Sequence, residues 1–151
     1  MKNEKKRKLY LVDDDALFLK VLEFEFLNYP EFIIETFPTA ELCIKQLSPP
    51  QVDPLNLPDV IVLDYHLDGI DKNAMNGLQA LEAIKKLIPD MPVIMLSSQD
   101  KIEVAVNCMK HKAYDYIIKS ETAFIRLQKA IVAILHDRKR EKELSWYMER
   151  M

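Results

Sequence analysis

The chain has 151 residues, 49% hydrophobic and 30% charged, the balance of a soluble globular protein with enough length to bury one core. Its 21 basic and 24 acidic residues leave a net charge of −3, so no cationic excess speaks for direct binding to nucleic acid. The apolar run behind the basic start covers only "LYLV" before Asp13, too short for a signal-peptide core, and no later stretch approaches a membrane span; the expected compartment is the cytoplasm.

From residue 8 to about residue 136, short apolar runs alternate with longer amphipathic stretches. "LYLV" (9–12) predicts a strand and runs straight into Asp13, Asp14 and Asp15, the last placed to cap the helix that follows. Leu17, Val21, Phe24 and Leu27 carry that helix by their spacing. "FIIETF" (32–37) predicts the second strand and Ala40 to Leu47 the second helix. Pro49, Pro50, Pro54 and Pro58 then make 48–58 a loop rather than a domain boundary. "VIVL" (60–63) predicts the third strand and ends in Asp64; Leu78, Leu81, Ile84 and Leu87 follow at helical spacing. "VIML" (93–96) leads to Ser97 and to a helix carried by Ile102, Val106 and Met109. "YDYII" (114–118) leads to Lys119 and to a helix marked by Phe124, Leu127, Ile131 and Ile134. From 137 the polar run "DRKREKE" extends that helix, with Leu144, Met148 and Met151 at helical spacing and Trp146 and Tyr147 on another side. Cys43 and Cys108 sit among apolar residues and read as small buried hydrophobes in a reducing compartment.

Strands that each lead into a helix imply parallel pairing, right-handed crossovers and a three-layer α/β sandwich. In open α/β sheets, ligands sit beyond the carboxyl ends of the strands. Asp13 and Asp14 end the first strand and Asp64 the third; if those strands are neighbours, their carboxylates converge, and crowded acids there call for a cation. Oxygen donors suit a hard ion such as Mg²⁺. Taken alone, each residue has a plainer reading: Asp in a helix first turn, Ser97 in a turn, Lys119 at a solvated helix start. Taken together, a hydroxyl and an ammonium beside an acidic cluster can grip a phosphoryl group.

"YLVDDDALF", "DVIVLDYHL", "VIMLSSQD" and "YDYIIKS", in this order and spacing over residues 8–136, resemble the response-regulator receiver domain of two-component signalling. The resemblance implies a flavodoxin-like, five-stranded parallel sheet in order 2-1-3-4-5, with residues 1–136 as the receiver and 137–151 as a helical extension. It implies Asp64 as phosphoacceptor, Asp13, Asp14 and Asp64 as ligands of Mg²⁺ or Mn²⁺, and the backbone carbonyl of His66 completing the metal site. Ser97 and Lys119 then bind phosphoryl oxygens and Tyr116 follows the switch. The implied donor is a histidine kinase or phosphotransfer protein, and the implied output is contact with a downstream protein, by a switch rather than an enzyme. Apart from the resemblance, the apolar positions of the tail read either as a solvated terminal helix with a few apolar contacts or as a partner-binding or homodimerising helix.

This sequence departs from the family in places. Ser120 follows Lys119 where proline is usual, the segment from Asp64 to Gly77 is about five residues longer, and no glycine ends the fourth helix in "MKHKAYDY". Asp68 and Asp71 in the long segment read as turn acids, and His111 as a surface residue. Two other classes compete: a phosphate-independent interaction module with a vestigial pocket, and a phosphohydrolase resembling the haloacid dehalogenase group. The second needs an aspartate two residues beyond the nucleophile, where His66 stands.

Overall fold

The computed structural model describes residues 6–49, 53, 56–69 and 71–150; Pro50, Pro54 and Met151 lie outside the described residues. Strands and helices alternate along the chain: β1 (Arg7–Val12), α1 (Ala16–Phe26), β2 (Phe32–Phe37), α2 (Ala40–Leu47), β3 (Val60–Leu63), α3 (Gly77–Leu87), β4 (Val93–Ser97), α4 (Ile102–Lys110), β5 (Asp115–Ile118) and α5 (Ala123–Glu149). All pairings are parallel, in the order β2-β1-β3-β4-β5. The expected three-layer sandwich and strand order are therefore found.

Side chains on a strand alternate between faces, and here each face has its own core. Tyr10, Val12, Ile61, Leu63, Val93 and Met95 point to the layer built by Ala40 and Cys43 of α2, Leu81 and Ile84 of α3 and Cys108 of α4. Leu9, Leu11, Val60, Val62, Ile94 and Leu96 point to the other, against α1 and α5. β3 and β4 are buried throughout, as apolar runs without alternation require. Cys43 and Cys108 are free and buried, and burial pushes the Cys43 thiol up to about 12, which makes it inert packing.

Two helices turn a different face inward than their most regular apolar spacing indicates. In α1, Leu17 and Phe24 are 74% and 70% exposed, with Val21 and Leu27 also exposed; the buried residues are Leu19, Leu22 and Phe26. The sequence "ALFLKVLEFEF" is apolar on nearly all sides, so it carries two stripes, and the connection from β1 selects the one that meets the sheet. In α4, Ile102, Val106 and Met109 likewise face solvent while Cys108 is buried and Val104 packs on the core. In α5 the expected Leu127, Ile131 and Ile134 do face the sheet. That helix runs unbroken past residue 136, and residues 139–150 are exposed.

The caps follow side-chain chemistry. Asp15 accepts the Phe18 amide at 3.1 Å, as expected of an N-cap, and Thr39 accepts that of Leu42. Asn76 and Gln79 form a reciprocal capping box at the start of α3. At the end of α4, with no glycine available, Lys112 adopts a left-handed φ of 71°. Its amide bonds the Met109 carbonyl and the Ala113 amide reaches back to Cys108, closing a Schellman-type turn on a residue with a Cβ. A left-handed backbone costs an L-residue roughly 1 to 2 kcal/mol. Lys112→Gly is therefore expected to stabilise the protein by about 1 kcal/mol and raise the melting temperature by about 2 to 4 °C in calorimetry; a lower melting temperature would contradict this account of the turn.

Candidate functional site

Register decides which strand ends share an edge. Val12 pairs with Leu63, so Asp13 and Asp64 follow adjacent ends. The ladder continues one step into them: the Asp64 amide donates to the Val12 carbonyl at 2.9 Å and the Asp13 amide to the Phe37 carbonyl at 3.1 Å. Asp13, Asp64 and Ser97 are 3%, 4% and 0% exposed and are the buried polar or charged side chains among the described residues. Buried carboxylates without compensation cost several kcal/mol each.

The compensation comes from β5. The Lys119 amide donates to the Ser97 carbonyl at 2.8 Å, which fixes where the side chain starts. Its ammonium lies 2.7 Å from Asp13 Oδ2 and 3.5 Å from Asp64 Oδ2, and 4.3 Å above the centroid of the Phe18 ring. Asp13 Oδ1 also accepts the Asp15 amide at 2.9 Å, and Asp64 Oδ1 accepts the His66 amide at 3.4 Å. Burial, then the charge of Asp13, push the Asp64 carboxyl up to about 7 against the pull of Lys119. Burial disfavours the Lys119 ammonium, but its two carboxylate neighbours hold its pKa above the ordinary lysine value.

Asp14 completes an acidic cluster. Asp13, Asp14 and Asp64 each offer a carboxylate oxygen, all within 4.8 Å of one another, a donor set that fits a hard divalent cation such as Mg²⁺ or Mn²⁺. Asp68 and Asp71 are outside this cluster. Asp71 instead accepts the Asn73 amide at 3.0 Å, the turn role expected of it. The long β3–α3 segment nonetheless borders the cluster, because a Cβ at Gly69 would stand 3.1 Å from Asp14 Oδ2. At its other end the Gly77 amide bonds the Tyr65 carbonyl at 2.7 Å, and a Cβ there would collide with the Asp64 carbonyl and Tyr65 Cα. Glu41 of α2 holds the segment from outside by accepting the Met75 amide at 3.0 Å.

The remaining expected residues stand around this centre. Ser97 Oγ accepts the Gln99 amide at 3.1 Å, and the half-buried Tyr116 hydroxyl donates to the Gln99 carbonyl at 2.6 Å. The exposed His66 ring meets the Gln99 side chain at 3.4 Å. His111 lies away from the site, 3.1 Å from Glu82. Reading the sequence alone overlooks Phe18, Gln99 and the close approaches at Gly69 and Gly77. For Gly77 a signal existed, since glycine is rare in this chain; Phe18 and Gln99 look like ordinary helix and loop residues.

Because folding raises the Asp64 pKa from 3.8 to about 7, the folded metal-free protein holds that proton more tightly than the unfolded chain. The Asp64 contribution to stability is thus full below about pH 4 and is lost as pH rises through about 7. In metal-free thermal melts, Asp64→Asn is expected to gain on the native protein steadily over that interval. A difference that stays flat from pH 4 to 8 would show that Asp64 is not strained by burial.

The family model of the response regulator receiver domain matches residues 9–132. The nitrogen assimilation regulatory protein NtrX of Azorhizobium caulinodans is 42% identical over 62 residues, which is 41% of this chain and 13% of that protein. The luminescence regulatory protein LuxO of Vibrio campbellii is 38% identical over 63 residues, 42% of this chain and again 13% of the relative. The chain therefore matches a small part of the length of these curated relatives. Among solved structures, NtrX from Brucella abortus superposes with a TM-score of 0.75 at 27% identity, over 95% of this chain and 30% of that one. A CheY-like receiver domain protein from Methanospirillum hungatei JF-1 gives 0.72 at 22% identity, over 89% and 98%.

Proposed function

The chain belongs to the response regulator receiver domain family, and from that premise we propose that it takes a phosphoryl group onto Asp64 from a phosphohistidine and signals the change by protein contact. The observation that carries this reading is a buried carboxylate that shares one ammonium with Asp13 and clusters with two further carboxylates, those of Asp13 and Asp14. In the reaction, Asp64 attacks phosphorus; the new P–O bond forms as the P–N bond to the donor imidazole breaks, and the imidazole leaves with the electron pair and is reprotonated. Lys119 follows the charge as it passes to the phosphoryl oxygens, and the Ser97 hydroxyl donates to one of them. Asp13, Asp14, Asp64 and the His66 carbonyl would hold Mg²⁺ or Mn²⁺, which supplies charge neutralisation between the anionic donor and the acids. Transfer onto its own side chain makes the protein a switch. We assign 1–136 to the receiver and 137–151 to a helical extension, in a cytoplasmic protein; among the described residues no helix is long and apolar enough to cross a membrane.

The exposed stripe of α1 supports a protein as donor, a histidine kinase or phosphotransfer protein. α1 begins immediately after the acidic cluster, so Leu17, Val21, Phe24 and Leu27 form an apolar strip leading away from the pocket mouth. Each large apolar side chain is worth roughly 1.5 to 3 kcal/mol when covered completely, so a donor helix lying there is held where its phosphohistidine reaches Asp64. On the far side, the outward Ile102, Val106 and Met109 of α4 offer an output surface for a downstream protein or a second copy.

Intact-mass spectrometry after incubation with Mg²⁺ and acetyl phosphate tests the chemistry. The native protein is expected to gain one phosphoryl group and Asp64→Ala none; labelling that survives in the variant moves the acceptor elsewhere, and no labelling of the native protein favours a phosphate-independent module. Phe24→Ser is expected to slow transfer from a phosphorylated protein donor about tenfold or more while leaving acetyl phosphate labelling unchanged. Equal loss with both donors would remove α1 as a docking face.

A further inference from the structure

Lys119 reaches the pocket on a flexible four-carbon shaft from a backbone tethered at the Ser97 carbonyl, so its aim depends on what its ammonium meets. Two of the ammonium's neighbours, Asp13 and Asp64, are the groups whose charge changes most in the proposed reaction: a cation shares the first and the second becomes an acyl phosphate. The third neighbour does not change. The Phe18 ring lies 4.3 Å from the ammonium, belongs to the first turn of α1 and packs against the α1–α5 core. Its place is set by the same turn that holds the acids, because the Phe18 amide is the one that Asp15 caps. An aromatic face attracts a cation, the more so where water is partly excluded, and the Lys119 side chain is only 18% exposed.

We infer that Phe18 is a positioning residue: the face of its ring holds the Lys119 ammonium at the mouth between Asp13 and Asp64, so that the lysine stays aimed while its carboxylate partners are being used. The inference rests on the receiver reading given above and adds a residue to it. A ring that merely fills space against the core would be replaced by leucine with little consequence. A ring acting through its electrons would not be, and its effect would weaken as fluorine withdraws those electrons.

The test incorporates phenylalanine carrying one, two and three ring fluorines at position 18 of the full chain. Labelling rate by acetyl phosphate with saturating Mg²⁺ is measured beside melting temperature and the NMR shifts of the Lys119 ε-protons. The rate is expected to fall with each fluorine, to roughly one fifth at three, with the melting temperature unchanged. Phe18→Leu is expected to fall at least as far and to lose the upfield ring-current shift of Lys119, whereas Phe18→Tyr and Phe18→Trp keep both. A rate indifferent to fluorination, or Lys119 ε-protons without an upfield shift in the native protein, would overturn the inference. If the native protein takes no phosphoryl group at all, the receiver reading fails instead, and the ring-current shift alone then decides whether Phe18 holds the lysine.

Discussion

Two carboxylates buried within reach of one ammonium govern the C-terminal edge of this sheet. Burial first, and the neighbouring Asp13 charge second, push the Asp64 pKa up, and Lys119 offsets only part of that rise. The arrangement is tolerable only because the groups come from three rigid strand ends. A loop carrying the same charges would move them apart into water. The order β2-β1-β3-β4-β5 makes β1 and β3 neighbours and brings the end of β5 over the end of β4. The apolar interior of two cores thus works as a clamp that keeps like charges together.

The long β3–α3 segment fits the same constraint. It leaves the sheet at Asp64, passes Asp14 at Gly69, and returns to within contact of the Asp64 carbonyl at Gly77. Between these points it is pinned to α2 by Glu41 and ordered by the turn at Asp71. With Gly69 against Asp14 and Gly77 against the Asp64 carbonyl, a segment longer than the family norm still stays tied to the acids.

Strands and site were legible in the sequence because both are written in short, local signals. "VIVL" and "VIML" are continuous apolar runs that only a doubly covered strand explains, and a charged or hydroxyl residue directly after such a run must lie at the sheet edge. Inward faces were less legible. In α1 apolar residues fill nearly the whole circumference, and periodicity ranks Leu17, Val21, Phe24 and Leu27 as highly as the true core set of Leu19, Leu22 and Phe26. Which stripe meets the sheet is settled by tertiary packing, which the periodicity does not carry. The end of α4 was illegible for another reason: Lys112 takes a conformation its side chain disfavours because the Schellman bonds and the docking of β5 require it. Phe18 escaped because nothing in a phenylalanine at a helix start announces a cation above it.

Hydrogen bonds tie Ser97, at the end of β4, to Gln99 and through Gln99 to Tyr116 of β5. Ser97 Oγ accepts the Gln99 amide, and a serine hydroxyl that accepts still has its proton to donate. Under the proposed function, a phosphoryl oxygen on Asp64 would recruit Ser97 without breaking that bond, and movement of Ser97 toward it would pull on Gln99. The Gln99 carbonyl is in turn held by the Tyr116 hydroxyl, so the ends of β4 and β5 shift as one unit, or the tyrosine must release its hold and find another place for its ring. These are discrete alternatives in a packed edge, with little room for a gradual response. Three residues beyond Gln99 begins α4, whose Ile102, Val106 and Met109 stand in solvent. On the function proposed above, this apolar surface, close in the chain to a residue hydrogen-bonded to both Ser97 and Tyr116, is where a binding partner would read a change of charge at Asp64.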